Sequence, residues 1–224
     1  PNTESIELTA NKWNWIGYTP QFTLGVADAL AGVSNPQAGD QVKGQKGYRI
    51  WSVNGWVGSL NAMEPGRGYM YKSNSTSNIR FHYPDMTPMQ LRAAEIEQPL
   101  GFNPRWTTDA YRFANTMTVT MAVLLDGQVL PAGWVEVAAF SNGECRGSAV
   151  IQHVNGFDRP DMGFLMVYGN QEDPIEFRIY DHSSQREYAA AEHFTFLADS
   201  IFGTPDELFA LNITEGAGSK VIIY

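Results

Sequence analysis

Apolar and polar residues alternate with a period of two along most of this chain, the pattern of strands with two unlike faces. In 115–130, NTMTVTMAVLLDGQVL, Met117, Val119, Met121 and Val123 alternate with Thr116, Thr118 and Thr120. The run then meets Asp126-Gly127, a dipeptide suited to a tight hairpin. WVEVAAFSNGECRGSAVI (134–151) repeats the pattern around Asn142-Gly143, and MGFLMVYGN (162–170) is apolar enough for a central strand. In 175–190, Ile175, Phe177 and Ile179 point inward; FTFLAD (194–199), LFALNIT (208–214) and VIIY (221–224) complete about eight strands. Turn signals every 8–12 residues or so predict an antiparallel β-sandwich over 106–224, immunoglobulin-like or jelly-roll-like.

Residues 1–83 read as a smaller β-rich module of short strands punctuated by glycine. In KWNWIGYTP (12–20), Trp13 and Trp15 share one face of a strand, with Asn14 and Ile16 on the other. The large rings of Trp13, Trp15 and Tyr69 are expected to fill the small core. TLGVADALAG (23–32) carries the one helical pattern, with Phe22, Val26 and Leu30 spaced by four. GYRIWSVNGWVGSL (47–60) reads as a hairpin turning at Asn54-Gly55. GRGYMYKS (66–73) and IRFHYP (79–84) add strands, the latter with Ile79, Phe81 and Tyr83 on one face. Between the modules, 84–105 is bracketed by prolines, and Thr87-Pro88-Met89-Gln90 predicts a short helix over 88–97. That stretch reads as a connector.

Charge separates the same two halves. Residues 1–105 carry a net charge of +1, whereas 106–224 carry −10, within an overall −9 for 224 residues. An acidic chain with no basic face is a poor match for nucleic acid. No apolar run approaches the roughly 20 residues of a membrane span, so no transmembrane segment is expected. The chain begins Pro-Asn-Thr-Glu with no signal peptide, which reads as a cytosolic chain or one trimmed after export. Its lone Cys145 excludes an internal disulfide framework and reads as a structural thiol.

Motifs across nearly the whole length resemble a two-module region of Bacteroidetes secreted and surface proteins. WNWIGY, the ADAL helix, GDQVKGQKGY, GWVGSL and PGRGYMYKS carry the first part (about 8–82). VEVAAFSNGECRG, FRIYDHSSQREY and FTFLADSIFGTPDELFAL carry the second (106–214). The resemblance implies an exported or cell-surface, adhesin-like protein in a multidomain chain, binding a protein or a glycan or serving as a spacer. It assigns no catalytic residue and leaves oligomeric state open.

Candidate chemistry is sparse. There is no HExxH, CxxC, GxSxG or phosphate-loop pattern, and His82, His153, His182 and His193 are scattered, as solvent-facing residues would be. No cofactor is implied beyond a loop calcium site at Asp158 and Asp161 in GFDRPD, where carboxylates cluster beside glycine and proline. Glu172 and Asp173 form a second acidic turn. Ser200, in an Asp-Ser pair, resembles an O-glycosylation site of this bacterial group. For ligand stacking, Trp51 and Trp56 flank the Asn54-Gly55 turn, with Tyr48 and Tyr71 completing a platform; Trp56 is expected exposed and Trp51 buried. The alternative is a polysaccharide hydrolase, or an accessory domain of one, with carboxylates facing across an interdomain cleft.

Overall fold

A computed structural model describes residues 5–85, 103–215 and 220–221. The chain divides into two compact units, 1–98 and 99–224, so the boundary falls within the proline-bracketed stretch. The helix expected over 88–97 lies outside the described residues.

The first unit contains β1 (Ile6–Leu8), β2 (Trp13–Gly17), β3 (Leu24–Gly25), α1 (Val26–Ala29), β4 (Gln41–Lys43), β5 (Tyr48–Ser52), β6 (Gly55–Gly58), β7 (Ala62–Met63), β8 (Gly68–Lys72) and β9 (Ile79–Phe81). Five strands form an antiparallel sheet in the order β2-β8-β4-β5-β6; β1 pairs with β9, and β3 with β7. The core gathers Leu8, Ile16, Tyr18, Leu24, Val26, Leu30, Val42, Trp56, Met63, Tyr69, Tyr71, Phe81 and Tyr83. Ile79, Phe81 and Tyr83 do share the inward face, and Arg80 and His82 point out. The helical segment is shorter than its pattern suggests. Leu24 and Gly25 are held as a strand against Met63 and Ala62, and Val26 donates its N–H to the Asn61 carbonyl at 3.2 Å. Only one turn of helix is left, although Val26 and Leu30 keep their expected buried positions.

The second unit contains β10 (Asn115–Leu125), β11 (Gln128–Val129), β12 (Val135–Ser141), β13 (Glu144–Val150), β14 (Gln152–His153), β15 (Asp161–Gly169), β16 (Pro174–Asp181), β17 (Arg186–Thr195), β18 (Ile201–Phe202), β19 (Phe209–Ile213) and β20 (Lys220–Val221). It is a β-sandwich. One sheet is antiparallel, in the order β13-β12-β16-β17-β20. The other is built on β10, which pairs with β15 and β11 antiparallel. β18 and β19 run parallel to β10, where antiparallel neighbours were expected. These two short strands follow β17 of the opposite sheet and supply the second row of hydrogen bonds that an interior strand needs.

Met117, Val119, Met121 and Val123 lie inside, against Val137, Leu165, Val167, Phe177 and Ile179. Thr118 and Thr120 are buried too, so β10 is covered on both faces. Asp126-Gly127 (φ 48° and 81°) and Asn142-Gly143 (φ 51° and 81°) form two-residue turns with positive φ at both positions.

Candidate functional site

Strand β2 shows the expected alternation with its faces exchanged. Ile16 is 3% exposed and packs in the core, whereas Trp15 is 79% exposed. Trp13, on the same outward face, is half-buried with the Lys43 ammonium 4.4 Å from its ring centroid. The expectation that Trp13 and Trp15 fill the core is therefore corrected; of that set only Tyr69 does. Volume is the physical reason. The inward face of this sheet already holds Tyr69, Tyr71 and Trp56, and the register sets Ile16 opposite Tyr69 and Asn14 opposite Tyr71, so the even-numbered residues of β2 share that crowded face. Asn14 shares the Ile16 side but is satisfied locally. Its carboxamide oxygen accepts the Thr9 N–H at 2.7 Å, and its NH₂ donates to the Thr9 and Lys12 carbonyls at 3.1 and 3.0 Å.

The backbone of β2 has a second asymmetry. In antiparallel pairs, alternate residues direct both N–H and C=O at the neighbouring strand, and the residues between direct them away. Ser73 N–H donates to the Lys12 carbonyl at 3.0 Å, and Tyr18 N–H to the Arg67 carbonyl at 2.9 Å. The even-numbered residues therefore bond to β8. The phase repeats across the sheet, with Trp51 N–H donating to the Asp40 carbonyl and Gly44 N–H to the Gly47 carbonyl. Trp15 and Gly17 consequently aim their peptide groups outward. Among the described residues no strand pairs with that side of β2, the edge of its sheet. Edge strands usually carry a charge, a proline or a bulge that discourages pairing; WNWIG has none.

The aromatic hairpin is a packed element. Trp56 is 8% exposed, its ring 5.4 Å from Trp51 and 5.9 Å from Tyr71 in edge-to-face contacts. Trp51 is the half-buried member, so the expected order of exposure is reversed. Tyr48 and Tyr71 are fully buried and cannot complete a stacking platform. Tyr71 donates its hydroxyl to the buried Asp40 carboxylate at 2.8 Å, which also accepts the Asn74 N–H at 2.6 Å. Burial, reinforced by that carboxylate, pushes the Tyr71 phenol far above its ordinary range. The turn residues are Val53 and Asn54, and Gly55 begins β6 at φ 93°; Asn54 does not adopt the positive φ expected of it.

In the second unit the sequence-derived sites do not converge. Asp161 lies 2.7 Å from His153 Nδ1, whereas Asp158 stands exposed in the preceding turn. Among the described residues no three His, Cys, Asp or Glu side chains gather as a metal site would require. Asp173 is drawn onto the buried Arg146 at 3.1 Å, so it is more than a solvated turn residue. Ser200 is half-buried beside β18, its carbonyl accepting the Thr118 N–H at 3.0 Å. Cys145 is a half-buried thiol in the β12–β13 hairpin, its Sγ accepting from the Thr108 hydroxyl at 3.1 Å.

A polar cluster on β12 escaped the sequence reading. The fully buried Glu136 carboxylate accepts the Arg105 N–H at 2.8 Å and the Trp106 N–H at 3.1 Å, with His182 Nε2 3.0 Å away. His182 is thus inward, contrary to expectation. The Arg105 guanidinium sits 4.4 Å over the Tyr180 ring and pairs with Glu187 at 3.1 Å. Residues 105–106 therefore belong to the second unit's packing and not to a free connector.

Two open grooves of about 450 and 470 Å³ lie along β16 and β17, where the register shifts between Glu176 and Arg178. Their carboxylates are engaged: Glu176 by Arg178 at 2.8 Å, Glu187 by Arg105, and Glu192 by the Asn212 side chain at 2.6 Å. No described helix is long and apolar enough to cross a membrane. The chain matches no family model, no curated protein and no solved structure at a significant level.

Proposed function

We propose that the chain is a non-catalytic, adhesin-like binding module of an exported surface protein, and that it grips an extended protein segment along β2. One observation carries this reading: an indole 79% exposed on an edge strand whose Trp15 and Gly17 peptide groups face outward. An added strand satisfies a row of backbone groups and covers an aromatic ring at once, the economy of β-strand addition. A sugar would use the ring and leave the peptide row idle. In the grooves along β16 and β17, the engagement of Glu176, Glu187 and Glu192 favours binding over hydrolysis, because glycosidic cleavage needs an acid and a base free to act. Surface attachment rests on the motif resemblance, and a weak contact of this kind gains strength from many displayed copies.

Displayed on non-adherent cells, the chain should confer attachment to a protein-coated substratum. Trp15→Ala should abolish that attachment without moving the melting temperature. Attachment that survives protease treatment of the substratum but not deglycosylation would assign the site to glycan. Attachment indifferent to Trp15→Ala would contradict the proposal.

A further inference from the structure

Gly17 and Gly68 pair across β2 and β8, directly beside the pair formed by Trp15 and Met70. Both glycines are exposed. Glycine weakens a strand, and a left-handed φ or a close neighbour normally accounts for it. Gly58 in the same sheet has both reasons, with φ 147° and the Tyr48 carbonyl against it. Gly17 and Gly68 have neither. Their φ angles lie outside the left-handed region, and a Cβ built on either meets no atom within 4 Å. The remaining cause of glycine in a strand is the close approach of a ligand or another backbone. The pair makes a floor without side chains, bordered by the exposed Trp15 indole.

A strand added antiparallel to β2 forms a doubly hydrogen-bonded pair with Gly17 and another with Trp15, since both direct their peptide groups outward. Only these two residues are asked for backbone bonds. The added residue opposite Gly17 projects over the glycine floor, and the one opposite Trp15 meets the indole. A small side chain opposite Gly17 would leave the floor uncovered. An aromatic ring covers it and lies diagonal to Trp15, within reach of the indole edge.

Charge orders the rest of the segment. At the Trp13 end, Lys72 stands opposite Trp13 and donates to a neutral acceptor, the Asn11 carbonyl, at 3.0 Å; Lys12 is exposed. At the Gly17 end, Arg67 already has Glu64 3.6 Å away. An antiparallel partner passes Gly17 first, then Trp15, and then reaches the two lysines. Carboxylates on its C-terminal side complement them.

We propose that β2 selects an extended segment with an aromatic residue opposite Gly17, an apolar residue opposite Trp15 and acidic residues after it. This rests on the reading of β2 as an edge that binds protein, and it states the chemistry of the segment bound.

The probe is the peptide Ser-Thr-Tyr-Thr-Val-Thr-Glu-Glu-Ser with blocked termini, titrated to roughly millimolar concentration into the full chain and followed by NMR. The Trp15 and Gly17 amides should shift saturably. The tyrosine ring should show NOEs to the Hα protons of Gly17 and Gly68. Tyrosine to alanine in the peptide, or Gly17→Leu in the protein, should each weaken binding at least about tenfold. Gly17→Leu should not lower the melting temperature, because its side chain enters open space. Lysines in place of the glutamates should weaken binding as well, and salt should shrink that difference. Binding that ignores the glutamates would overturn the charge assignment. No saturable shift, or binding indifferent to both the tyrosine and Gly17→Leu, would overturn the proposal. If that occurs while Trp15→Ala still abolishes attachment to a protein-coated substratum, the segment is wrong and the binding edge stands. If attachment is indifferent to Trp15→Ala too, both readings fall.

Discussion

Trp15 and Ile16 are consecutive on β2 and stand at opposite extremes of exposure, 79% and 3%. The contrast reverses what side-chain size would suggest, and it supplies the surface on which the binding proposal stands. It also makes a simple comparison of two variants informative. Ile16→Ala should cost about 2–5 kcal/mol through lost burial and a residual cavity. Trp15→Ala should stay within about 0.5 kcal/mol of wild type. Denaturant unfolding of the two variants checks this.

Trp56 offers the complementary test in the hairpin. It packs edge-to-face on Trp51 and Tyr71 within the first unit's core. Trp56→Ala should destabilise the protein by about 3–5 kcal/mol. A melting temperature left unchanged would mean that the ring is not buried.

Glu136 predicts a local effect. Glu136→Ala leaves the Arg105 and Trp106 amides without their acceptor in a buried site, at a cost of about 1–3 kcal/mol for each orphaned donor at most. Amide exchange at Arg105 and Trp106 should quicken, while β10 and β15 remain protected. Uniform acceleration across the unit would show that Glu136 supports the whole sandwich instead.

The sandwich was legible because its strands are long and their interior residues are apolar: Met117 to Val123 fixes a face, and Asp126-Gly127 and Asn142-Gly143 fix the turns. The β2 edge was legible only as a strand. Alternation separates Trp13 and Trp15 from Asn14 and Ile16, but which set faces inward depends on the tyrosines of β8 beneath them. Glu136 was hidden because its partners lie 30, 31 and 46 residues away and two of them are peptide N–H groups that no side-chain pattern reports. The parallel strands β18 and β19 were hidden for a related reason. Their short sequences carry no mark of direction.

Buried phenols set the alkaline limit of the first unit. Burial, with Tyr69 close by, raises the Tyr18 pKa from 10.0 to about 12, and Tyr69, Tyr71 and Tyr83 are raised as well, chiefly by burial. A raised acid keeps its proton in the folded state after the unfolded chain has lost it. The stabilisation is therefore complete below pH 10 and is lost as pH rises toward 12 and beyond. Unfolding followed by tyrosine absorbance should fall in that window. Tyr18→Phe should lessen the alkaline loss, and a titration at the ordinary phenol pKa without unfolding would contradict the burial.

The phase of the β2 backbone underlies the binding edge, and residue-resolved amide exchange in dilute solution reads it directly. Asn14 and Ile16, bonded to β8, should exchange slowly, whereas Trp15 and Gly17, facing outward, should exchange fast. Slow exchange at Trp15 and Gly17 in the monomer would show that the edge is already occupied and contradict the account.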